Sequence, residues 1–278
     1  MNSIDLLKQL QHNNQKPNKS LGQNFLTDDN ILRKTVAAAG VDNNTGVLEI
    51  GAGAGALTHI LSQFAKEVIA IELDKNLVVH LEGVFNGYDN VKIIQSDALK
   101  CDLNEVIAQN ISSERVIIVA NLPYYITTPL IMKFFEDKLP LRSATVMVQN
   151  EVARRIVAAP SASDYGAFSV ACQYHSTPKL IFTVPPTAFY PQPKVTSAVV
   201  YFDIENHIKP QVADEERFFK VVRAAFGQRR KTLVNALSSA FDTPKDDIRH
   251  VVKKVCGNEN IRGENLDIDK FSEISELI

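Results

Sequence analysis

Four short apolar runs, at residues 47–50, 68–71, 91–94 and 116–120, are bounded by turn signals, and the stretches between several of them have apolar residues recurring at three and four. Runs of this length suit strands. The stretches at 57–64, 75–85 and 129–135 suit helices uninterrupted by proline, and strand alternating with helix predicts a parallel α/β sheet. Two further runs, 144–148 and 197–202, extend the sheet. Pro185, Pro186, Pro191 and Pro193 exclude a helix or a central strand and leave an ordered loop, stiff enough to hold an aromatic in place. After Asp203 the strand pattern stops, and 214–226, 230–241, 245–255 and 269–277 read as short amphipathic helices. The expected organisation is an α/β domain over 1–205, with an N-terminal arm over about 1–20, and a small all-helical domain over 206–278.

The chain's 278 residues, 45% hydrophobic and 22% charged, provide for a sizeable core and exclude a disordered or low-complexity class. Cys101, Cys172 and Cys256 are far apart and never form a C-x-x-C pair, which argues against a disulfide framework and a thiolate zinc site and suits a reducing cytoplasm. The six histidines show no metal-ligand spacing, so no metal is expected. The first twenty residues lack the apolar core of a signal peptide, and no run reaches 18 apolar residues, so no membrane contact is expected.

Thirty basic against 32 acidic side chains taken alone argue against a nucleic-acid partner. The total hides a local imbalance. Residues 142–231 carry 12 basic and 7 acidic side chains, a net of +5 against −7 for the rest, and six basic residues with no acidic one lie between Arg217 and Lys231. A phosphate-contacting face is expected at Arg223, Arg229, Arg230 and Lys231, extended by Arg142, Arg154 and Arg155.

The first apolar run ends in Glu49-Ile50-Gly51-Ala52-Gly53-Ala54-Gly55-Ala56, a glycine loop between a strand and a helix, where a ligand can approach bare backbone. Read as G-x-G-x-x-A, it also fits a dinucleotide fingerprint. Glu72, 21 positions after Gly51, is placed to hold a ribose diol in either cofactor class, so a nicotinamide oxidoreductase stays open here. Asp97, after the third run, can accept from an adenine amine. Acidic residues at three successive strand ends suit a cationic cofactor better than a pyrophosphate, which tilts the choice toward S-adenosylmethionine.

Asn121-Leu122-Pro123-Tyr124 follows the fourth run, at the strand end where α/β sheets bind ligands. The Asn121 side-chain oxygen and a backbone carbonyl can both accept from one exocyclic amine, Pro123 fixes the turn, and Tyr124 can stack on the base. This is a socket for an extruded amino-base.

These segments, together with Leu21-Gly22-Gln23-Asn24-Phe25-Leu26, residues 149–155, 189–197 and 226–233, resemble the bacterial small-subunit ribosomal RNA adenine dimethyltransferases of the KsgA/RsmA type, in order from about residue 16 to 267. The resemblance implies a class I, Rossmann-like methyltransferase domain with a small C-terminal helical domain. It implies dimethylation of N6 of two adjacent adenosines in the 3′-terminal hairpin loop of 16S rRNA, using S-adenosylmethionine, with 16S rRNA in the immature 30S particle as partner; a cytoplasmic monomer is expected. Its cofactor contacts map to Asn24, Leu26, Gly51, Glu72, Asp97 and Asn121, with Gln23, Gly53, Leu73 and Ala98 beside them. The catalytic set is Asn121, Leu122, Pro123 and Tyr124, with Phe189 as a second stacking ring or else a core anchor of its loop. Ala52, Tyr125 and Gly263 depart from the family pattern without removing a chemical group. A large-subunit rRNA adenine methyltransferase and a non-catalytic ribosome-assembly factor are the alternatives.

Overall fold

The structure, a computed structural model, describes residues 1–12, 17–18, 21–228 and 230–278. The chain begins with α1 (Ser3–His12), β1 (Phe25–Leu26) and α2 (Asp29–Ala39). Alternation then sets in as β2 (Thr45–Ile50), α3 (Ala56–Leu61), β3 (Glu67–Glu72), α4 (Lys75–Val84), β4 (Val91–Gln95), α5 (Leu103–Asn110), β5 (Arg115–Asn121), α6 (Thr127–Glu136) and β6 (Ser143–Gln149). After β6 come α7 (Asn150–Val157), α8 (Ala167–His175), β7 (Thr177–Val184), β8 (Phe189–Tyr190) and β9 (Ser197–Asp203). The remainder is α9 (Glu215–Gly227), α10 (Leu233–Ser238), α11 (Lys245–Cys256) and α12 (Ile268–Leu277).

Seven strands form one sheet in the order β4-β3-β2-β5-β6-β9-β7. The strands from β4 to β6 are parallel, as their alternation with helices requires. The sheet as a whole is mixed rather than parallel, because β9 runs antiparallel to β6, with Gln149 opposite Ser197. β9 arrives through the loop from β7, its neighbour on the other side, so no crossover helix turns it round. Every residue of β2 is buried, and so are residues 116–120 of β5, the pattern of strands covered on both faces. β7 escaped the sequence pattern for the opposite reason: it is an edge strand, largely exposed and carrying Pro178.

Aspartates begin several helices: Asp28 accepts from the Asn30 and Ile31 amides before α2, and Asp74 from Asn76 before α4. The proline-rich loop is ordered and carries β8, which pairs antiparallel with β1 so that Phe25 faces Tyr190 and Leu26 faces Phe189. None of the described helices is long and apolar enough to cross a membrane.

The chain separates into two compact units, one of residues 1–153 and 179–205, the other of 154–178 and 206–278. The second unit thus takes in α8, outside the 206–278 segment marked by composition. Tyr165, Val170 and Tyr174 are buried there with Phe218, Val222, Leu237 and Phe271 in one apolar cluster, and Tyr174 stacks on Phe218 at 4.7 Å.

Candidate functional site

The carboxyl ends of β2, β3, β4 and β5 open onto one cleft of about 1010 Å³, counted out to its mouth. Its floor is the glycine turn between β2 and α3. Gly51 (φ +78°) and Gly53 (φ +60°) are left-handed, a conformation that costs any other residue. A β-carbon on Gly51 would meet Pro123 at 3.4 Å, an ordinary van der Waals contact, so the left-handed backbone rather than space selects glycine there.

Two buried carboxylates stand behind the loop. Glu72 closes β3, and one oxygen accepts from the Gly53 amide at 2.9 Å while the other accepts from Leu73 and Asp74, each at 2.9 Å. Burial raises its pKa, and the three amides pull the other way. Glu49, 1% exposed, receives the Thr58 hydroxyl at 2.6 Å. Burial pushes it up to about 8 against the pull of Thr58, and the charge of Glu72 adds to the rise. Asp97 follows β4, accepts from the Leu99 amide at 3.0 Å and lies 3.5 Å from the solvent-facing Lys100 ammonium.

The tetrad forms the opposing rim. The Leu122 amide donates to the Met147 carbonyl at 3.1 Å, tying the turn to β6. The Asn121 amide nitrogen reaches toward the Asn24 carbonyl at 3.5 Å, an assignment that leaves the side-chain oxygen as an acceptor. The Tyr124 phenol meets the Ser197 hydroxyl at 2.6 Å. Tyr125, half exposed at the mouth, has its phenol pKa raised by burial and by the charges of Asp97 and Glu72.

Residues 21–26 run along the cleft. The Gln23 amide donates to Asp74 at 3.1 Å, its oxygen accepts from the Asn18 amide at 2.7 Å, and Asn24 donates to the Gly22 carbonyl at 2.9 Å. All ten residues expected at the cofactor, Gln23, Asn24, Leu26, Gly51, Gly53, Glu72, Leu73, Asp97, Ala98 and Asn121, line this space, as do Leu122, Pro123 and Tyr124. Phe189 does not line it. Its ring is 3% exposed and packs with Leu26, Ala188 and Val199, the arrangement of a loop anchor. Sequence reasoning overlooked Asp74, the partner of Gln23, and Ser197, the partner of Tyr124; no spacing marks a hydrogen bond between segments so far apart.

Of the basic residues, Arg142 belongs to the first unit and donates to Glu205 at 2.9 Å. In the second unit Arg154 lies 3.6 Å from Asp164, and the Arg155 guanidinium sits 5.7 Å over the Phe168 ring. Arg223, Arg230 and Lys231 are exposed, and Arg229 lies outside the described residues.

Residues 14–278 match the family described as "Ribosomal RNA adenine dimethylase". The chain belongs to this family. It is 48% identical over 265 residues to "Ribosomal RNA small subunit methyltransferase A" of Geobacillus thermodenitrificans, covering 94% of this chain and 90% of that one. It is 42% identical over 269 residues to the protein of the same name from Clostridioides difficile, covering 97% and 93%. A dimethyladenosine transferase from Plasmodium falciparum superposes with a TM-score of 0.73 at 25% identity, over 90% of this chain and 95% of that one. The 23S rRNA methyltransferase ErmE, at 22% identity and a TM-score of 0.70 over 91% and 98%, shares the fold.

As an rRNA adenine dimethylase the chain is an N6,N6-dimethyltransferase on a Rossmann-like methyltransferase fold with a C-terminal helical region. Two of its departures from the family pattern fit their surroundings. Ala52 is buried with Ala70, Leu81 and Phe85, and a β-carbon on Gly263 would come within 2.6 Å of the Ala225 side chain and 2.9 Å of its carbonyl oxygen.

Proposed function

We propose that the cleft binds S-adenosylmethionine and that the enzyme dimethylates N6 of two adjacent adenosines in the 3′-terminal hairpin loop of 16S rRNA. It acts as a cytoplasmic monomer on immature small subunits. One observation carries the choice of cofactor: the described residues lining the cleft include the carboxylates Glu72 and Asp97, with the protonated Glu49 behind them, and no lysine, arginine or histidine. A dinucleotide would bring a pyrophosphate against these carboxylates, whereas a sulfonium and an ammonium are complementary to them. The choice of small-subunit RNA rests on relatives of that name at 42–48% identity, against 22% for the 23S enzyme.

In this reading Glu72 holds the ribose hydroxyls, Asp97 the adenine amine, and the 51–53 backbone, Gln23, Asn24, Leu26, Leu73 and Ala98 complete the cradle. The bound cofactor supplies an electrophilic methyl group on a cationic sulfur. The protein's task is to make an aromatic amine nucleophilic, since the N6 lone pair is delocalised into the ring. Asn121 Oδ1 and the Leu122 carbonyl each accept one N6 hydrogen, which holds the nitrogen closer to tetrahedral and aims its lone pair. Once the methylated, cationic nitrogen has released a proton to solvent, one N–H remains and one acceptor still serves it, so the same site adds the second methyl. Tyr124 stacks on the base, a contact worth about 1–3 kcal/mol. Phe189 supplies the other face only if its loop leaves the core position seen here.

Labelled methyl transfer to unmethylated 30S particles, followed by mapping of the modified bases, tests this reading. Two neighbouring dimethyladenosines near the 3′ end of 16S rRNA are expected; label in 23S rRNA, or tight docking without transfer, overturns it. The basic face has its own test: Arg230→Ala with Lys231→Ala should lower the slope of log affinity against log salt by about 1–2.

A further inference from the structure

We propose that Ser197 is a positioning residue for methyl transfer, its hydroxyl holding the Tyr124 phenol and, through it, the ring face offered to the adenine. The proposal rests on the reading of Tyr124 as the stacking ring. Ser197 opens β9, is 0% exposed, and is fixed in the ladder opposite Gln149, with the Asn150 amide on the Thr196 carbonyl at 2.9 Å just before it. Tyr124 is the last residue of the tetrad and lines the cleft. Its backbone end is held separately: the Ile126 amide and the Thr127 hydroxyl donate to the Pro123 carbonyl at 3.2 and 3.0 Å. The 2.6 Å contact between the two hydroxyls therefore joins the far tip of the ring to the rigid sheet.

A phenol makes its hydrogen bonds near the ring plane, so a partner fixed in a strand sets both the position of the ring tip and the tilt of the ring. Stacking and the direction of the N6 lone pair both depend on that tilt. With the serine hydroxyl removed, the phenol is left in a half-buried place without a partner, and the open direction in which it can reach water is the cleft itself. The ring then swings toward the space the base must occupy. Tyr124→Phe loses the same tether but has no polar tip to draw the ring into the cleft, so its ring stays closer to the wild-type position.

This yields an order of rates that a plain packing role does not produce. On unmethylated 30S particles with saturating S-adenosylmethionine, Ser197→Ala should lower kcat about ten-fold, a loss of about 1.4 kcal/mol. Tyr124→Phe should lose less, and adding Tyr124→Phe to Ser197→Ala should recover most of the loss. Ser197→Thr, which keeps a hydroxyl, should restore the rate, while calorimetric affinity for S-adenosylmethionine stays at the wild-type value throughout and the thermal midpoint falls by no more than about 2–4 °C. An unchanged kcat in Ser197→Ala, or a double variant as slow as the product of the two single losses, overturns the proposal. A wild-type enzyme that transfers no methyl to adenine in the same assay overturns instead the reading of the site on which it rests.

Discussion

The two sides of the cleft are built on opposite principles. The glycine loop works by the absence of side chains: Gly51 and Gly53 sit at φ +78° and +60°, and the Gly53 amide is committed to Glu72. The Asn121 tetrad adds side chains to backbone, and its two polar ones are fastened at their ends, Asn121 toward Asn24 and Tyr124 on Ser197. The loop is therefore a binding surface that any added atom degrades. The tetrad is a reacting surface, sensitive to orientation. Substitutions in the first should appear as affinity, and substitutions in the second as rate.

Asn121→Ala should give the largest effect. With the acceptor gone, N6 keeps one hydrogen bond of two and loses its aim, so kcat for methyl transfer should fall by about 10²–10³, the range for removing one preorganised polar group. Affinity for S-adenosylmethionine, measured by calorimetry, should stay within a few-fold. A variant that loses affinity and keeps its rate would put Asn121 on the binding side and erase the contrast.

Gly53→Ala is the counterpart. Its β-carbon would lie 3.2 Å from the Phe25 ring in a left-handed backbone, a strain of about 1–2 kcal/mol. Cofactor affinity should weaken by about ten-fold, corresponding to about 1.4 kcal/mol, with kcat at saturation near the wild-type value. Single-turnover rates across cofactor concentration separate the two; a loss confined to kcat would show that the loop shapes the reaction as well.

The same division explains what could be read from sequence. The loop was legible because left-handed backbone and close approach select glycine, and a carboxylate at the next strand end marks the same site from a fixed distance along the chain. The parallel strands were legible because burial on both faces leaves unbroken apolar runs such as 116–120. The tetrad's residues could be named but not their fastenings, since Tyr124 and Ser197 meet across 73 positions of sequence. Phe189 shows the limit most clearly. A proline-flanked aromatic fits a stacking ring and a core anchor equally, and only the pairing of β8 with β1 turns it inward against Leu26. The edge strand β7 and helix α8 were missed because one is too exposed and the other too short and apolar to show a periodic face.

Glu49 sharpens the comparison from beneath the loop, with a smaller effect that depends on pH. It belongs to neither principle: a charged residue type, 1% exposed, behind a surface made of bare backbone. Burial pushes its pKa up to about 8 from the ordinary 4.5, with Thr58 opposing and Glu72 adding to the rise. Between those values the folded protein holds a proton that the unfolded chain has released, so the stabilisation is complete below about 4.5 and is lost as pH rises through about 8. Glu49→Gln cannot ionise and still offers Thr58 an oxygen. Urea midpoints of the variant, measured without cofactor, should fall less steeply than those of the wild type between about pH 5 and about pH 9, the two curves diverging most at the alkaline end. Parallel curves would mean that Glu49 is ionised in the folded protein over this whole range. The floor of the loop would then present two buried charges, Glu49 and Glu72, and its attraction for a cationic cofactor would be electrostatic from below as well as steric from above.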